Sequence, residues 1–512
     1  MVANARPIDD ARVIRAGLAQ AVRRKLITKT EADRCRATVR RARGSIAALP
    51  AARATPLARV LRVVRLQSGA YTRARVTALC GMLGQNTMYL SRRGLPPTGT
   101  DVVGTDGVVY RSGWGYGLQF HPLANVIKLN AYTYAGQRAK VRQLADALRA
   151  RAVQTGDRSA WEYYFPYGAG RPPWRSGMVQ AIGAQALARS STLLKDTTLL
   201  AAAARAYRGL TGGGLVQTLS AGPWVRLYSF STISVLNAQL QSALSVADFG
   251  RITANADANA LAGRLRESAR TLLPRFDTGY WSRYALGGAE APLKYHRFHV
   301  ELLDFLARRT LDDFWRTAQV RFDRYTHEPP SYATAAPRPP IYPWPADGFR
   351  DRARIAFWVS KVSTVTVRVG GRTIRLGQEP GGWHTVYWTP GRRAPGKYAP
   401  VVSATDLAGN AGHAKLAPVT IARDTTPPGV KASVSGRRLT WKATDATTPW
   451  ITLRVRLVRG DTVKVLKLGR RALHGSLWLA LPRGRWQAVL VVADSSGNTA
   501  RVPLGTVPTP TS

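Results

Sequence analysis

Hydroxyl, imidazole and guanidinium groups crowd into Lys294-Tyr295-His296-Arg297-Phe298-His299, with Trp281-Ser282-Arg283-Tyr284 shortly upstream. Groups of these kinds move protons beside anions. The apolar run that follows, Val300, Leu302, Leu303, Phe305 and Leu306, predicts a helix opening near Lys294 with that run toward a core. The same helix puts Tyr295 and His299 (i, i+4) on one face, so its polar tip is a candidate site wall. Taken alone, Tyr-His-x-x-His more often marks core-edge residues satisfied by a hydrogen bond, and the functional reading needs support from elsewhere in the chain.

That support comes from further blocks in order. Trp174-Arg175-Ser176-Gly177-Met178-Val179-Gln180 opens a long apolar helix, and Leu227-Tyr228-Ser229-Phe230 leads into Val235-Leu236-Asn237. Then come Trp281-Ser282-Arg283-Tyr284 and Tyr295-His296-Arg297-Phe298-His299, and a fainter block, Gly117-Leu118-Gln119-Phe120-His121-Pro122, precedes them all. In these blocks the sequence resembles the C-terminal catalytic domain of the D-glucuronyl C5-epimerases, which act on heparosan and heparan-type chains. The resemblance covers roughly residues 105–327 and departs from the family pattern at Leu227 and Ala238, where the family has Glu and Gly.

The resemblance implies C5-epimerisation of uronic acid residues in an acidic polysaccharide, with no cofactor and no metal. It matches Tyr228, Tyr284 and Tyr295 to the family's functional tyrosines, two of them serving as acid and base. The same blocks, with Arg226 beside the middle one, make Gln119, Trp174, Arg175, Gln180, Arg226, Asn237, Arg283, His296, Arg297 and His299 the expected substrate-binding set. Taking a proton from C5 of a uronate leaves a carbanion next to a carboxylate, so a cation must first neutralise that charge; Arg offers a two-pronged, permanently charged partner. A tyrosine of ordinary pKa about 10 also needs positive charge nearby to work as a phenolate. Arg226, Arg283, Lys294 and Arg297 lie within two residues of the three tyrosines, which predicts that each has a basic neighbour.

Other classes fit less well. A glycosidase needs two facing carboxylates, and Glu162, Asp277, Glu290, Glu301 and Asp304 show no such pattern. No phosphate loop, metal-spaced histidine set or G-x-S-x-G occurs. Two alternatives remain: a polyuronate lyase, which shares the first proton abstraction and then expels the C4 substituent, and a non-catalytic cell-surface protein that binds acidic glycan.

Composition agrees with an anionic partner. The 512 residues hold 75 Lys and Arg against 29 Asp and Glu, a formal charge of +46. Such a potential attracts nucleic acid, lipid headgroups or acidic polysaccharide alike, although an Ala/Arg/Gly-rich chain also reaches high arginine through base composition. The expected partner is a uronate-containing polysaccharide, with no specific nucleic acid; the oligomeric state is left open. Cys35 and Cys80 are the only cysteines, which excludes a disulfide scaffold and leaves one bridge open. No run is long and apolar enough for a transmembrane helix, and residues 1–26 lack a signal-peptide pattern. The expectation is a secreted or cell-surface protein whose leader is absent from this numbering.

The expected fold is multi-domain α + β. Residues 1–100 read as an N-terminal helical region whose second helix starts at Thr28 with Glu31 at capping-box spacing. Residues 101–330 read as the catalytic domain: a small hairpin near 99–117, then about eight helices at 126–135, 138–153, 176–193, 196–210, 234–248, 256–273, 294–306 and 311–325. Helical pairs joined by long aromatic loops suit an α/α toroid. After a proline-rich stretch the period changes to strands, and Asp406-Leu407-Ala408-Gly409-Asn410 recurs as Asp494-Ser495-Ser496-Gly497-Asn498, 88 residues on. Two β-sandwich modules, 346–424 and 428–508, resemble bacterial immunoglobulin-like modules and read as non-catalytic spacers.

Overall fold

The computed structural model describes residues 9–113 and 115–507; residues 1–8 of the expected N-terminal region and residue 508 of the expected last module lie outside them. The described residues form two compact units that divide after Tyr325, the first mainly helical and the second built of antiparallel sheets.

The first unit begins with α1 (Asp10–Arg23), α2 (Lys29–Ala48), α3 (Ala51–Leu66) and α4 (Arg73–Arg92). The capping box forms as its spacing predicts: Thr28 Oγ1 accepts from Glu31 N and the Glu31 carboxylate accepts from Thr28 N. Helix α4 has no counterpart in the sequence reading. Its inward face includes Gln85 and Asn86, so no clean apolar stripe marks it; Asn86 instead pairs its amide with both backbone groups of Leu118. A Cys35–Cys80 disulfide ties α2 to α4. Glu162, nearly buried, takes both forks of the Arg75 guanidinium at 2.8 Å and so fastens α4 to the following segment.

The expected hairpin is a three-stranded sheet, β1 (Asp101–Val103), β2 (Val109–Ser112) and β3 (Leu118–Phe120) in that order. Four helical hairpins follow: α5 (Pro122–Tyr134) with α6 (Arg138–Arg151), α7 (Gly177–Leu194) with α8 (Thr197–Thr211), α9 (Leu236–Thr253) with α10 (Ala256–Phe276), and α11 (Leu293–Thr310) with α12 (Asp313–Arg324). Helix α5 packs on α7, α7 on α9 and α9 on α11. Helices α7 and α9 are buried on nearly every face, as inner helices must be, whereas α8 and α12 bury one stripe each.

In the second unit, one apolar core around Phe357, Val365, Val367, Trp388 and Val402 lies between a four-stranded sheet and a three-stranded sheet. A second such pair encloses Trp441, Leu453, Val455, Trp486 and Leu490. The sequence repeat is a structural one. Asp406 accepts from Asn410 N at 2.9 Å and Asn410 Nδ2 at 3.0 Å; Asp494 accepts from Asn498 N and Nδ2, both at 2.8 Å. The copies differ beside this turn. After strand Ala353–Val359, the buried Lys361 ammonium meets Asp406 at 3.1 Å; after the corresponding strand Arg438–Thr444 comes Asp445, and carboxylate oxygens of Asp424, Asp445 and Asp494 lie within 4.8 Å of one another.

Candidate active site

A cleft of about 780 Å³ runs along one face of each inner helix. From α5 it takes Leu123, Ile127, Asn130 and Tyr134; from α7, Met178, Ile182, Gln185 and Arg189. From α9 come Asn237, Gln241 and Leu244, and from α11 Tyr295, Phe298, Glu301, Phe305 and Arg309. The three- and four-residue steps are those of single helix faces, and in all four helices the lowest-numbered residues sit near the tyrosines.

Tyr228, Tyr284 and Tyr295 all line this cleft. Tyr295 stands in the first turn of α11, while the other two are in loops pinned to helix starts. Gly177, the first residue of α7, donates its N–H to Arg226 O at 2.9 Å, and a side chain there would come within 2.7 Å of that oxygen. Arg175 O accepts from Ser229 N, and Ser229 Oγ accepts from Arg175 N, which completes the clamp around Tyr228. Tyr284 is held by its carbonyl, which accepts from Leu236 N at the head of α9.

The three hydroxyls differ in surroundings. Tyr228 is hydrogen-bonded to Tyr284 and Tyr167; burial, then the Tyr284 and Tyr167 phenols, push its pKa far up. Burial, then Tyr295, push Tyr284 up to about 12. Tyr295 is 38% exposed, its ring 4.9 Å from that of Tyr284. The expected basic neighbours do not act on the first two. Arg226 donates to Ser231 O and Gly214 O, and Arg283 to Gly288 O, which holds both guanidiniums on loop carbonyls, and neither is among the groups that shift Tyr228 or Tyr284. Arg111 of β2 and Lys294 are cations that line the cleft with Tyr295, and Arg111 interacts electrostatically first with Asp101 and more weakly with Tyr163 and Tyr295. Asp101 accepts from Arg111 Nε and Nη2 at 2.7 and 2.8 Å. Nothing near Arg111 in the sequence marks it, since the tyrosine it joins in the cleft is far along the chain.

Of the expected substrate-binding residues, the cleft contains Trp174 and Asn237. Trp174 stacks on Tyr163 with ring centroids 3.9 Å apart, forming an aromatic wall with Tyr167 and Phe165. Asn237 is 3% exposed and its Oδ1 has no hydrogen-bond partner among the described residues. Gln119 is buried and donates to Tyr116 O, while Gln180 is buried at the head of α7, donating to Ser176 O; neither side chain lines the cleft. Arg175 and the exposed Arg297 also lie outside its lining. His296 stands behind the tyrosines, stacked on Trp281 at 3.9 Å and bonded to Ser282 and Phe322 O. His299 meets Ser282 Oγ at 2.8 Å, and burial, then His296, hold its pKa down to about 3. Leu227 forms part of the cleft wall, and Ala238 is fully buried. The cleft also takes His121 of the faint first block, and among residues the sequence did not mark it gathers Gln185, Arg189 and Arg309.

Residues 154–324 match the family described as D-glucuronyl C5-epimerase C-terminus. No curated protein matches the chain. Solved structures similar to it include an endo-β-1,4-glucanase from Acetobacter xylinum, at 15% identity over 35% of this chain and 56% of that one, TM-score 0.29. Another is a family 8 glycosyl hydrolase endoglucanase from Klebsiella pneumoniae, at 12% identity over 39% of this chain and 69% of that one, TM-score 0.31. A GH76 α-mannanase from Bacteroides thetaiotaomicron shares 13% identity over 40% of this chain and 60% of that one, TM-score 0.30. The chain thus spans just over half of the first of these, and likenesses this distant carry no functional argument.

Proposed function

We propose that this protein epimerises uronic acid residues of an acidic polysaccharide at C5, by proton abstraction on one face and reprotonation on the other. The observation that carries the reading is the convergence of Tyr228, Tyr284 and Tyr295 from three separate segments on one cleft that also holds Arg111 and Lys294. The match of residues 154–324 supports the same chemistry.

In this reading Arg111 and Lys294 take the uronate carboxylate. A guanidinium has five N–H donors and Asp101 uses two, so Arg111 keeps hydrogens for substrate. Their charge stabilises the enediolate that forms as the C5 proton leaves. Tyr295, which shares the cleft with Arg111 and Lys294, is the base, because a phenolate needs a cation nearby. The hydrogen-bonded Tyr228–Tyr284 pair, kept protonated by burial, returns a proton to the opposite face. The C5–H electron pair becomes the enediolate and then the new C5–H bond, and the C4 substituent stays in place. Asn237 offers its unpartnered Oδ1 to a sugar hydroxyl, and Trp174 with its aromatic neighbours offers a stacking wall.

The helical hairpins fit an α/α toroid open between α5 and α11, and the two sheet pairs fit immunoglobulin-like sandwiches over 346–424 and 428–508, after helical regions 1–100 and 101–330. A secreted or cell-surface location suits the disulfide, which persists in oxidising compartments. The test is incubation with uronate polymers in heavy water. Deuterium at C5 without new unsaturated ends supports the reading. An absorbing double bond would make the protein a lyase, and binding with neither signal would make it a glycan-binding protein.

A further inference from the structure

The cleft extends well past the tyrosines. On α11 its lining spans Tyr295 to Arg309, 14 helical steps apart, or about 21 Å at the 1.5 Å rise of a helix. At that far end Arg189 of α7 and Arg309 of α11 both line the cleft. They share one partner, Asp248 of α9, whose side chain is 2% exposed. Arg189 bonds it directly, Arg251 reaches it at 2.8 Å, and Arg309 stays at 3.7 Å with 44% of its side chain exposed. Three guanidiniums thus surround one carboxylate, which leaves two positive charges unbalanced. Glu301 is the one acidic residue in the lining among the described residues. A second cavity of about 490 Å³ shares Leu244 and Arg309 with the cleft and adds Arg251 and Arg266, so the positive lining continues.

Helix C-termini favour cations, and an Arg–Asp cluster could serve packing alone. One feature goes beyond that need: Gln185 Nε2, Arg189 and Arg251 already satisfy Asp248, so Arg309 is surplus to it.

We infer that Arg189 and Arg309 form a second anion subsite, which holds a carboxylate or sulfate of the same polysaccharide chain about 20 Å from the reacting residue along α11. This rests on the reading that the cleft holds an acidic polysaccharide. It makes the protein length-selective: a chain too short to reach both ends loses the far contact, and a longer one threads along the helix faces.

The experiment measures equilibrium binding of acidic uronate oligosaccharides of increasing length by calorimetry. Affinity should rise by a step once the chain spans both ends. Arg309→Gln should remove most of that step, a loss of about tenfold or more, the scale of a hydrogen bond to a charged group. Arg309→Lys, which keeps the charge, should retain part of it. Carboxyl-reduced, unsulfated oligosaccharides of the same lengths should show no step. Affinity independent of length, the same step in Arg309→Gln, or a step with the neutral chains would each overturn the proposal. C5 deuterium exchange measured on the same samples separates the two readings: its absence beside an intact step would overturn the epimerase reading alone.

Discussion

Replacing Tyr295 by Phe removes one hydroxyl from a side chain that is 38% exposed and whose ring stays packed on Tyr284 at 4.9 Å. Folding stability should shift by no more than about 0.5 kcal/mol, as for an ordinary surface change. A general base is worth about 10² to 10⁴ in rate, or roughly 3–5 kcal/mol of barrier. The two effects are far enough apart that loss of activity cannot be a folding defect. The assay is deuterium wash-in at C5, followed separately for the two epimers by mass spectrometry and NMR. With the base on one face gone, Tyr295→Phe should lose wash-in from the epimer whose C5–H points at Tyr295, and Tyr228→Phe should lose it from the other. That second direction needs the Tyr228–Tyr284 pair to act as base. Because Tyr284 is raised to about 12, its phenolate is scarce at neutral pH and grows about tenfold per pH unit, so wash-in from that epimer should climb steadily from pH 7 to 9. Equal loss from both epimers in both variants would refute the division of faces. Full exchange in Tyr228→Phe, Tyr284→Phe and Tyr295→Phe would refute the tyrosine assignment altogether.

Acid should weaken the helical unit through His299. Its native pKa near 3 lies below the ordinary 6.5, so its contribution is fully present above pH 6.5 and is lost as pH falls toward 3. The total change should amount to at most roughly 5 kcal/mol in denaturant melts, and His299→Asn should flatten it; an unchanged slope would count against buried neutral His299. Reducing Cys35–Cys80, which closes a 45-residue separation, should cost up to about 4 kcal/mol by loop entropy. Unshifted denaturant midpoints with and without reductant, with thiol release confirmed by mass, would contradict that. In the second unit, Asp445→Lys should restore the ammonium–carboxylate pairing seen at Lys361 and Asp406 and raise the melting free energy by about 1 kcal/mol in EDTA. A lower melting point would show that the three carboxylates are not in net repulsion.

Most elements were legible in the sequence because their causes are local. The Thr28–Glu31 capping box, the 3.6-residue stripes of α5 to α12 and the repeated Asp-x-x-Gly-Asn turn all act over a few residues. Helix α4 was not legible, because it buries Gln85 and Asn86 and satisfies Asn86 with the backbone of β3, a partner that exists only once the sheet has folded against it. The three tyrosines could be named from their motifs, but their chemical setting could not. Arg226 and Arg283 are neighbours of Tyr228 and Tyr284 along the chain, yet their guanidiniums turn to loop carbonyls. His296 and His299, on the same helix as Tyr295, turn inward to Ser282 because a helix presents successive residues to different faces. Arg111 joins Tyr295 in the cleft lining from a strand nearly two hundred residues earlier. Residue types and periods are fixed by neighbours in sequence, whereas desolvation and charge depend on whatever the folded chain brings near, so the sequence could nominate the three tyrosines but only tertiary packing decided the burial around each hydroxyl and which cations share their cleft.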